Sequence, residues 1–235
     1  MVTPEHICPF GLKSLDLLRR RRFEVEDHPL KSRAETDAFM ASEHVDTTPQ
    51  TFIAGSRVGG YDDLRRYFHE PLADPNSTSY RPVVSVFGTA LAMALAATWA
   101  VSGTVLTLRA AEWFVAFSMC ILAVLKLRDL ETFSNMFLGY DLLAQRYVRY
   151  AYVYPFGEAV SGVLMIAGGA FKWIAIPIAL FIGVIGAISV FKAVYVDRRE
   201  LKCACVGGDS KVPLGFTSLT ENLMMVAMGV WMTVR

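Results

Sequence analysis

The sequence predicts a two-domain protein, in which a small α/β domain of water-soluble composition precedes an all-α bundle of membrane-spanning helices. Of the 235 residues, 54% are hydrophobic, a fraction typical of a chain with several membrane segments. The charges are uneven, because 24 of the 45 charged residues lie in residues 1–82 and long uncharged runs follow. The net charge of +1 gives no general affinity for polyanions, so we expect no nucleic-acid partner.

Five apolar segments predict about five membrane spans, and thus a polytopic protein that contacts the lipid bilayer. Val83–Leu108 runs 26 residues without a charge, which as a helix exceeds the roughly 30 Å hydrocarbon core. Trp113–Leu125 has 13 residues before the next charge, a length that alone indicates a buried or interfacial segment. Three further spans are expected at about residues 150–171, 173–196 and 216–234.

The distribution of Lys and Arg favours five spans over four. If Trp113–Leu125 crosses the membrane, nine basic residues face one side and three face the other, which agrees with the positive-inside rule. With four spans, the basic loop Asp197–Lys211 would lie outside. No apolar signal segment precedes the first domain. We therefore expect an inner (cytoplasmic) membrane protein, with the N-terminal domain and the Cys203/Cys205 loop in the cytosol and the C-terminus outside.

The N-terminal domain has an alternating pattern of helices and strands, with a cysteine at the start of the first helix. Unpaired backbone N–H groups and the helix dipole stabilise a thiolate at that position, and Pro9 suits the first helical residue. Cys8 is therefore predicted to be a nucleophile. The predicted helices are Leu12–Arg22, Ser32–Ser42 and Tyr61–His69, and the predicted strands are Glu24–Asp27 and Gln50–Ile53.

Three motifs in this domain, in matching order and spacing, resemble the signatures of glutaredoxins. They are Cys8-Pro9-Phe10-Gly11, Thr47–Ile53 and Gly59–Leu64. The resemblance implies a thioredoxin-like fold for residues 1–70, with Cys8 as nucleophile, Pro49 as a facing cis proline, and Thr48, Asp62 and Asp63 helping to bind glutathione as a co-substrate. Asp62 and Asp63 fit equally well as caps of the last helix.

The sequence departs from the glutaredoxin pattern at two places. Gly11 replaces the second cysteine, so the motif is of the monothiol type and Cys8 must form disulfides with glutathione or with a distant cysteine. Only seven residues precede Cys8, where that family has its central first strand, so we expect an incomplete sheet. A catalytically inactive docking domain is the alternative.

A second thiol motif, Cys203-Ala204-Cys205, lies in a polar loop between the last two apolar segments. This position predicts that both thiols are accessible to exchange partners. A disulfide between residues two apart closes a strained ring and is easily reduced, which suits electron transfer better than stabilisation. Cys120, alone on an apolar segment, is predicted to be a small buried hydrophobe.

Three ionisable residues are predicted to form a polar cluster inside the membrane, beneath the Cys203/Cys205 loop. Charges within spans are costly and therefore informative. Glu158 and Glu221 lie roughly 8 to 12 Å from the inner surface at helical rise, and Lys126 enters from the same side. Such a cluster can pair charges or move protons as the thiols react. For Lys126, extension of the side chain to the membrane surface is the alternative.

The order of these features resembles MauE, a membrane family related to the DoxX-like proteins. The resemblance covers residues 111–235 and implies a four-helix core with a redox role in methylamine utilisation, where the family is associated with disulfide formation in methylamine dehydrogenase. We expect residues 71–82 to be a linker and residues 83–108 a tethering helix. The matching motifs are Lys126–Asp129 with Phe133, Pro155–Glu158, and Cys203–Cys205 before a final apolar helix.

Together these features predict a membrane-bound, glutathione-linked thiol–disulfide oxidoreductase in which Cys8 exchanges with Cys203/Cys205. The expected substrate is a disulfide-bearing protein or small molecule. A quinone is a compatible acceptor that no sequence feature identifies. No resident metal is expected, because all four histidines lie in the N-terminal domain. Two alternatives remain: transport or sensing of a soft metal such as Cu, Hg or Zn by the thiolates, and a non-catalytic membrane assembly factor.

Overall fold

A computed structural model describes residues 8–72, 79–204 and 212–234, which fall into two compact units. The first unit is Met1–Pro75 and the second is Asn76–Arg235. The first has three helices and a hairpin in its described part, and the second is helical. The protein is thus mainly helical and carries helices able to span a membrane, with a smaller sheet than the sequence predicts.

The first unit places two strands between its second and third helices. The strands are antiparallel, with Thr51 opposite Gly59, and the turn between them uses Ala54 and Gly55 at φ 49° and 78°. Positive φ at both turn residues matches the twist of a two-residue hairpin. The elements are α1 (Pro9–Arg20), α2 (Arg33–Glu43), β1 (Thr51–Ile53), β2 (Ser56–Gly59) and α3 (Tyr61–Tyr67).

The predicted strand Glu24–Asp27 is wrong. Among the described residues the sheet of the first unit contains β1 and β2 alone, so residues 24–27 have no neighbouring strand. A strand needs a partner for its backbone N–H and C=O groups, and alternation of polar and apolar residues does not supply one. Val25 instead packs as a partly buried side chain against the small core of Leu17, Leu18 and Leu64.

The second unit consists of long helices joined by short connections. A 3₁₀ turn (Gly169–Phe171) precedes the fourth long helix and a π-helical turn (Lys192–Val196) follows it. The helices are α4 (Arg81–Ser102), α5 (Leu108–Arg128), α6 (Leu130–Leu138), α7 (Leu142–Arg146), α8 (Val148–Ala167), α9 (Lys172–Phe191) and α10 (Phe216–Val234).

Helix α5 is longer than its apolar core suggests. It begins at Leu108, five residues before the predicted segment, and has 21 residues. The Thr107 side chain accepts a hydrogen bond from the Ala110 N–H and so caps this early start. The remaining length is added at the other end, where Lys126 and Arg128 continue the helix. The uncharged run Trp113–Leu125 is shorter than α5 because charged residues occupy helical positions at both ends of the helix.

Within residues 8–72, 79–204 and 212–234, three helical stretches are long and apolar enough to span a membrane, namely α4, α5 and Gly169–Val196, which contains α9. Among the described residues, α8 and α10 do not meet this criterion. Polar residues lower the mean hydropathy of these two helices, and Glu158 of α8 and Glu221 of α10 are among them. The short helices α6 and α7, which lie between α5 and α8, were not predicted from the sequence.

The helices of the second unit pack closely in the order α4, α5, α8, α9 and α10. Glycines permit the closest approaches. A Cβ atom at Gly162 would lie 2.9 Å from the Ala116 carbonyl oxygen and 2.8 Å from Cys120 Sγ. Small residues at helix interfaces are the usual device for close packing in membranes. The contact between α5 and α8 therefore depends on glycine at position 162.

We predict that Gly162→Ala destabilises the protein by about 1 to 3 kcal/mol, because the added methyl group must displace the backbone of α5. Thermal unfolding of the purified, detergent-solubilised protein measures the change. Gly157→Ala on the same helix is the control, since its Cβ would meet only Ile178 at 3.6 Å and Ile182 at 4.0 Å, which are ordinary contacts. Equal unfolding temperatures for the two variants would contradict the packing argument.

Candidate functional site

Lys126, Glu158 and Glu221 meet in the interior of the second unit. The Lys126 Nζ atom lies 2.8 and 2.7 Å from the two carboxylate oxygens of Glu158, and 2.7 Å from Oε1 of Glu221. Each ammonium proton thus has a carboxylate acceptor. The side chains are 3%, 0% and 6% exposed, so Lys126 is buried in the ion triad rather than extended to the surface.

Each member of this ion triad comes from a different helix. Lys126 lies in the last turn of α5, Glu158 in the middle of α8, and Glu221 in the second turn of α10. The Tyr154 ring, one turn before Glu158, has its centroid 5.4 Å from Nζ and adds a cation–π contact. Two carboxylates share one cation here, so the fully ionised triad carries a net charge of −1.

Cys203 lies on a connection that folds back on itself between α9 and α10. Its N–H donates to the Val212 carbonyl at 2.8 Å, and the Leu214 N–H donates to the Leu201 carbonyl at 2.7 Å. These bonds flank an antiparallel bridge between Lys202 and Pro213. These backbone hydrogen bonds therefore hold Cys203 in a short antiparallel pairing with residues 212–214.

The predicted accessibility of Cys203 is wrong. The side chain is fully buried, in a cluster with Val212 and with Val83 at the start of α4. Backbone pairing brings Val212 against Cys203, a tertiary effect that the polarity of the loop does not reveal. Cys203 is disulfide-bonded. Cys205, the other member of the predicted pair, lies outside the described residues.

Helix α10 links the buried sulfur to the ion triad. The Ser218 hydroxyl, in the first turn of α10, donates a hydrogen bond to Cys203 Sγ at 3.0 Å. Glu221 follows Ser218 by three residues, so the two lie on neighbouring turns of one helix face. Asn222 donates to the Ser218 carbonyl at 2.7 Å and reinforces this segment. The disulfide and the ion triad are therefore about one helical turn apart along α10.

Cys8 forms a separate site in the first unit. It is a free, half-buried cysteine at the N-cap of α1, with Pro9 as the first helical residue. It lines a groove of about 640 Å³ together with Thr48 and Pro49, and the Thr48–Pro49 peptide bond is cis. The structure thus brings together three of the residues named by the glutaredoxin resemblance.

The two aspartates of α3 differ in their surroundings. The Asp63 carboxylate accepts a hydrogen bond from the Gly60 N–H at 3.0 Å and pairs with Arg66, so it caps α3. Asp62 is exposed, and neither aspartate lines the groove beside Cys8. The structure therefore supports the capping alternative for Asp63 and leaves glutathione binding by Asp62 or Asp63 as a prediction.

Cys120 is free and half-buried on α5.

The sequence did not indicate several buried polar residues of the second unit. Ser218 and Tyr154 have no distinctive motif, and their spacing from Glu221 and Glu158 is the only signal that marks them. Asp141 was also missed, although it is fully buried and caps α7 through the Leu143 and Ala144 N–H groups. Burial raises the pKa of Asp141, and the hydrogen bond from Ala144 opposes this shift.

Residues 104–235, more than half of the chain, match the family model for methylamine utilisation protein MauE. The chain belongs to the MauE family. The predicted resemblance is confirmed, and the matched region begins earlier than the expected residue 111, just before α5. The MauE region includes the ion triad, Cys203 and Ser218, whereas α4 and the first unit lie before it.

One curated relative is similar to a shorter stretch. The hybrid peroxiredoxin hyPrx5 of Haemophilus influenzae is 38% identical over 61 residues, which cover 26% of this chain and 25% of that protein. This chain therefore matches only a quarter of the length of that relative. No solved structure matches the chain. These comparisons show the MauE family and do not test the glutaredoxin resemblance.

We predict that Lys126→Met destabilises the MauE region by about 3 to 5 kcal/mol, because two buried carboxylates lose their cation. Thermal unfolding of the detergent-solubilised protein measures the loss. In a triple variant, Lys126→Met with Glu158→Gln and Glu221→Gln, no charge remains buried, and we expect most of the stability to return.

Lys192→Met is the matched control for this prediction. Lys192 pairs with Asp197 at 2.7 Å, with the side chains 48% and 35% exposed. Exposed ion pairs contribute about 0 to 1 kcal/mol, so this variant should unfold close to the parent temperature. If Lys126→Met proves no more harmful than Lys192→Met, the ion triad does not stabilise the fold.

Proposed function

We propose that this MauE-family protein is a membrane-bound thiol–disulfide oxidoreductase that relays electrons between glutathione, Cys8 and a Cys203–Cys205 disulfide. The observation that carries the proposal is the position of disulfide-bonded Cys203. Its side chain packs against Val83, at the start of the helix that joins the MauE region to the unit containing Cys8. One end of the connecting segment is therefore anchored beside the disulfide.

Chain length permits intramolecular exchange between the two thiol sites. Eight residues, 73–80, separate Leu72 of the first unit from the start of α4 at Arg81, and such a segment reaches at most roughly 29 Å. A short connection holds two sites at an effective concentration in the millimolar range where the geometry allows contact. Exchange between Cys8 and the membrane disulfide then needs no diffusional encounter.

The proposed exchange balances in three steps. The Cys8 thiolate attacks the membrane disulfide, forms a mixed disulfide with one sulfur and releases the other as a thiolate. Glutathione thiolate then attacks the Cys8 sulfur and releases the second membrane thiol. A second glutathione attacks glutathionylated Cys8, which yields glutathione disulfide and the free Cys8 thiolate. Two glutathione thiols are oxidised and one membrane disulfide is reduced, and the same steps in reverse oxidise the membrane pair.

Several features support a glutaredoxin-like, thioredoxin-like assignment for the first unit. Cys8 begins α1, where the helix dipole favours a thiolate, and it shares a groove with Thr48 and Pro49. The groove, of about 640 Å³, is large enough for a peptide-sized co-substrate such as glutathione. The partial similarity to a protein named as a hybrid peroxiredoxin agrees with thiol chemistry.

Aromatic residues support the five-span topology. The four tryptophans are Trp99 near the end of α4, Trp113 near the start of α5, Trp173 near the start of α9 and Trp231 near the end of α10. With alternating spans, all four lie at the same membrane surface, at the interfacial depth where tryptophan is enriched. The Trp231 indole donates to Glu112 at 2.9 Å, which joins the start of α5 to the end of α10 at that surface.

This topology places the Cys203 connection and the first unit on the opposite, basic side, which we assign to the cytosol of a bacterial inner membrane. The ion triad then lies about two helical turns inside that surface. It can compensate the change in charge as Cys203 is reduced, since two carboxylates share one ammonium and one of them can exchange a proton. When the steps run in the direction that oxidises the membrane cysteines, the protein would support disulfide formation in a partner protein, as in methylamine utilisation.

The two alternative functions stay predictions. Soft-metal binding requires Cys205, which lies outside the described residues, and no group of three or more potential metal-binding side chains occurs within residues 8–72, 79–204 and 212–234. A non-catalytic assembly factor would keep the ion triad for stability but would not need Cys8. The tests below separate this alternative from the relay.

We predict that Cys8→Ser slows reduction of the membrane disulfide by glutathione about a hundredfold, when glutathione is far below the effective concentration of Cys8. Oxidised full-length protein in lipid vesicles is mixed with glutathione, and alkylation with mass spectrometry measures free Cys203 over time. Cys120→Ser is the control and should match the parent. Parent-like kinetics for Cys8→Ser would reject the relay.

A new thiol beside Cys8 should divert this exchange. A Cβ atom at Gly11 would lie 3.9 Å from the Cys8 Cβ, within the roughly 3.5 to 4.5 Å range of disulfides. We therefore predict that Gly11→Cys forms a disulfide with Cys8 and that oxidised glutathione then oxidises Cys203 more slowly. Peptide mapping detects the new disulfide.

Leu12→Cys is the control for this variant, because Leu12 is 55% exposed at the next position of α1 and points to a different side of the helix. It should leave oxidation of Cys203 unchanged. If peptide mapping finds no disulfide between Cys8 and the new cysteine in Gly11→Cys, the predicted proximity of the two positions is wrong.

A further inference from the structure

Ser218 contacts the sulfur of Cys203, and the exchange steps above give it no role. Its hydroxyl donates to Cys203 Sγ at 3.0 Å. Cys203 is 0% exposed and Ser218 is 1% exposed, so water does not compete for this hydrogen bond. In such surroundings of low dielectric, a donor aimed at a developing charge has a larger effect than it has in water.

The burial of Cys203 decides which sulfur of its disulfide is attacked. An attacking thiolate must approach the sulfur along the S–S axis, and Val212 and Val83 pack around Cys203. Attack therefore falls on the other sulfur of this disulfide. The new S–S bond joins that sulfur to the attacking thiol, and the electron pair of the broken bond passes to Cys203. Cys203 leaves as a thiolate, and no proton enters the step.

We infer that Ser218 is the hydrogen-bond donor that stabilises Cys203 as the leaving thiolate, an assignment that rests on the proposed function. The hydroxyl proton already points at the atom on which negative charge develops, and hydrogen bonds to charged acceptors are stronger than neutral ones. Ser218 also lies in the first turn of α10, at the end of the helix where the helix dipole carries positive partial charge. Thiols that are stabilised as thiolates are better leaving groups.

Within the ion triad, Lys126 reduces the repulsion that Glu221 would exert on a thiolate at Cys203. Glu221 lies one turn beyond Ser218 on α10, and an unpaired carboxylate there would repel a thiolate at Cys203. The Lys126 ammonium lies 2.7 Å from the Glu221 carboxylate and offsets that repulsion. Lys126 and Glu221 do not touch Cys203 and affect it only through the charge that they place near it. Ser218 contacts the reacting sulfur itself.

The test compares reduction rates in full-length protein that carries Cys8→Ser and Cys120→Ala, so that the membrane disulfide is the one reducible bond. Glutathione reduces this parent, and alkylation with mass spectrometry follows free Cys203. Ser218→Ala should slow reduction about tenfold, because one hydrogen bond to a charged leaving group is lost. A purely structural role predicts the opposite, since looser packing exposes the disulfide and speeds its reduction. An unchanged or faster rate therefore overturns the inference.

Two further variants separate the hydroxyl from packing. Ser161→Ala removes another buried hydroxyl, on α8, which donates to the Ala175 carbonyl of α9 at 3.0 Å. This variant should leave the rate of reduction unchanged. Ser218→Thr keeps the hydroxyl and should react close to the parent rate. Slow reduction in either variant would assign the effect to packing and overturn the inference.

The experiment distinguishes failure of the Ser218 inference from failure of the proposed function. If glutathione reduces the parent disulfide but Ser218→Ala does not slow the reaction, the inference fails and the relay stands. If glutathione and stronger thiols leave the membrane disulfide intact in folded protein that retains Cys8, the proposed relay itself is wrong, and the assignment of Ser218 falls with it.

Discussion

The pairing of the Lys126 ammonium with two buried carboxylates is the constraint on which the arrangement of the MauE region depends. A buried charge costs several kcal/mol unless it is paired, so α5, α8 and α10 must each present one member to the same point. This requirement fixes both the rotation and the depth of the three helices. Because Ser218 lies one turn before Glu221, the same requirement sets α10 beneath Cys203.

This constraint connects membrane packing to thiol chemistry. Cys203 is held by backbone pairing with Val212 on one side and by the Ser218 hydroxyl on the other, so its sulfur has a fixed hydrogen-bond donor and no exposed surface. Cys8 has the complementary character of a half-buried free thiol at the start of a helix. A buried sulfur suits the leaving position in exchange, and an accessible thiol suits attack.

The sequence indicated the ion triad because charges inside apolar segments stand out, and depth along each span showed that Lys126, Glu158 and Glu221 can meet. It did not indicate the burial of Cys203, because the pairing with Val212 is formed by residues on opposite arms of a loop. The strand Glu24–Asp27 failed for a related reason, since a strand depends on a neighbour that local alternation cannot provide. Ser218 carries no motif, and only its contact with sulfur distinguishes it.

The most direct test of the relay is a search for its covalent intermediate. Oxidised glutathione is added to reduced Cys203→Ser protein in lipid vesicles, and mass spectrometry of digested protein identifies linked peptides. The account predicts a mixed disulfide between Cys8 and Cys205, which accumulates because the buried resolving thiol is absent. Cys205→Ser should give little or none. Absence of any link between Cys8 and the Cys203–Cys205 motif in both variants would contradict the account.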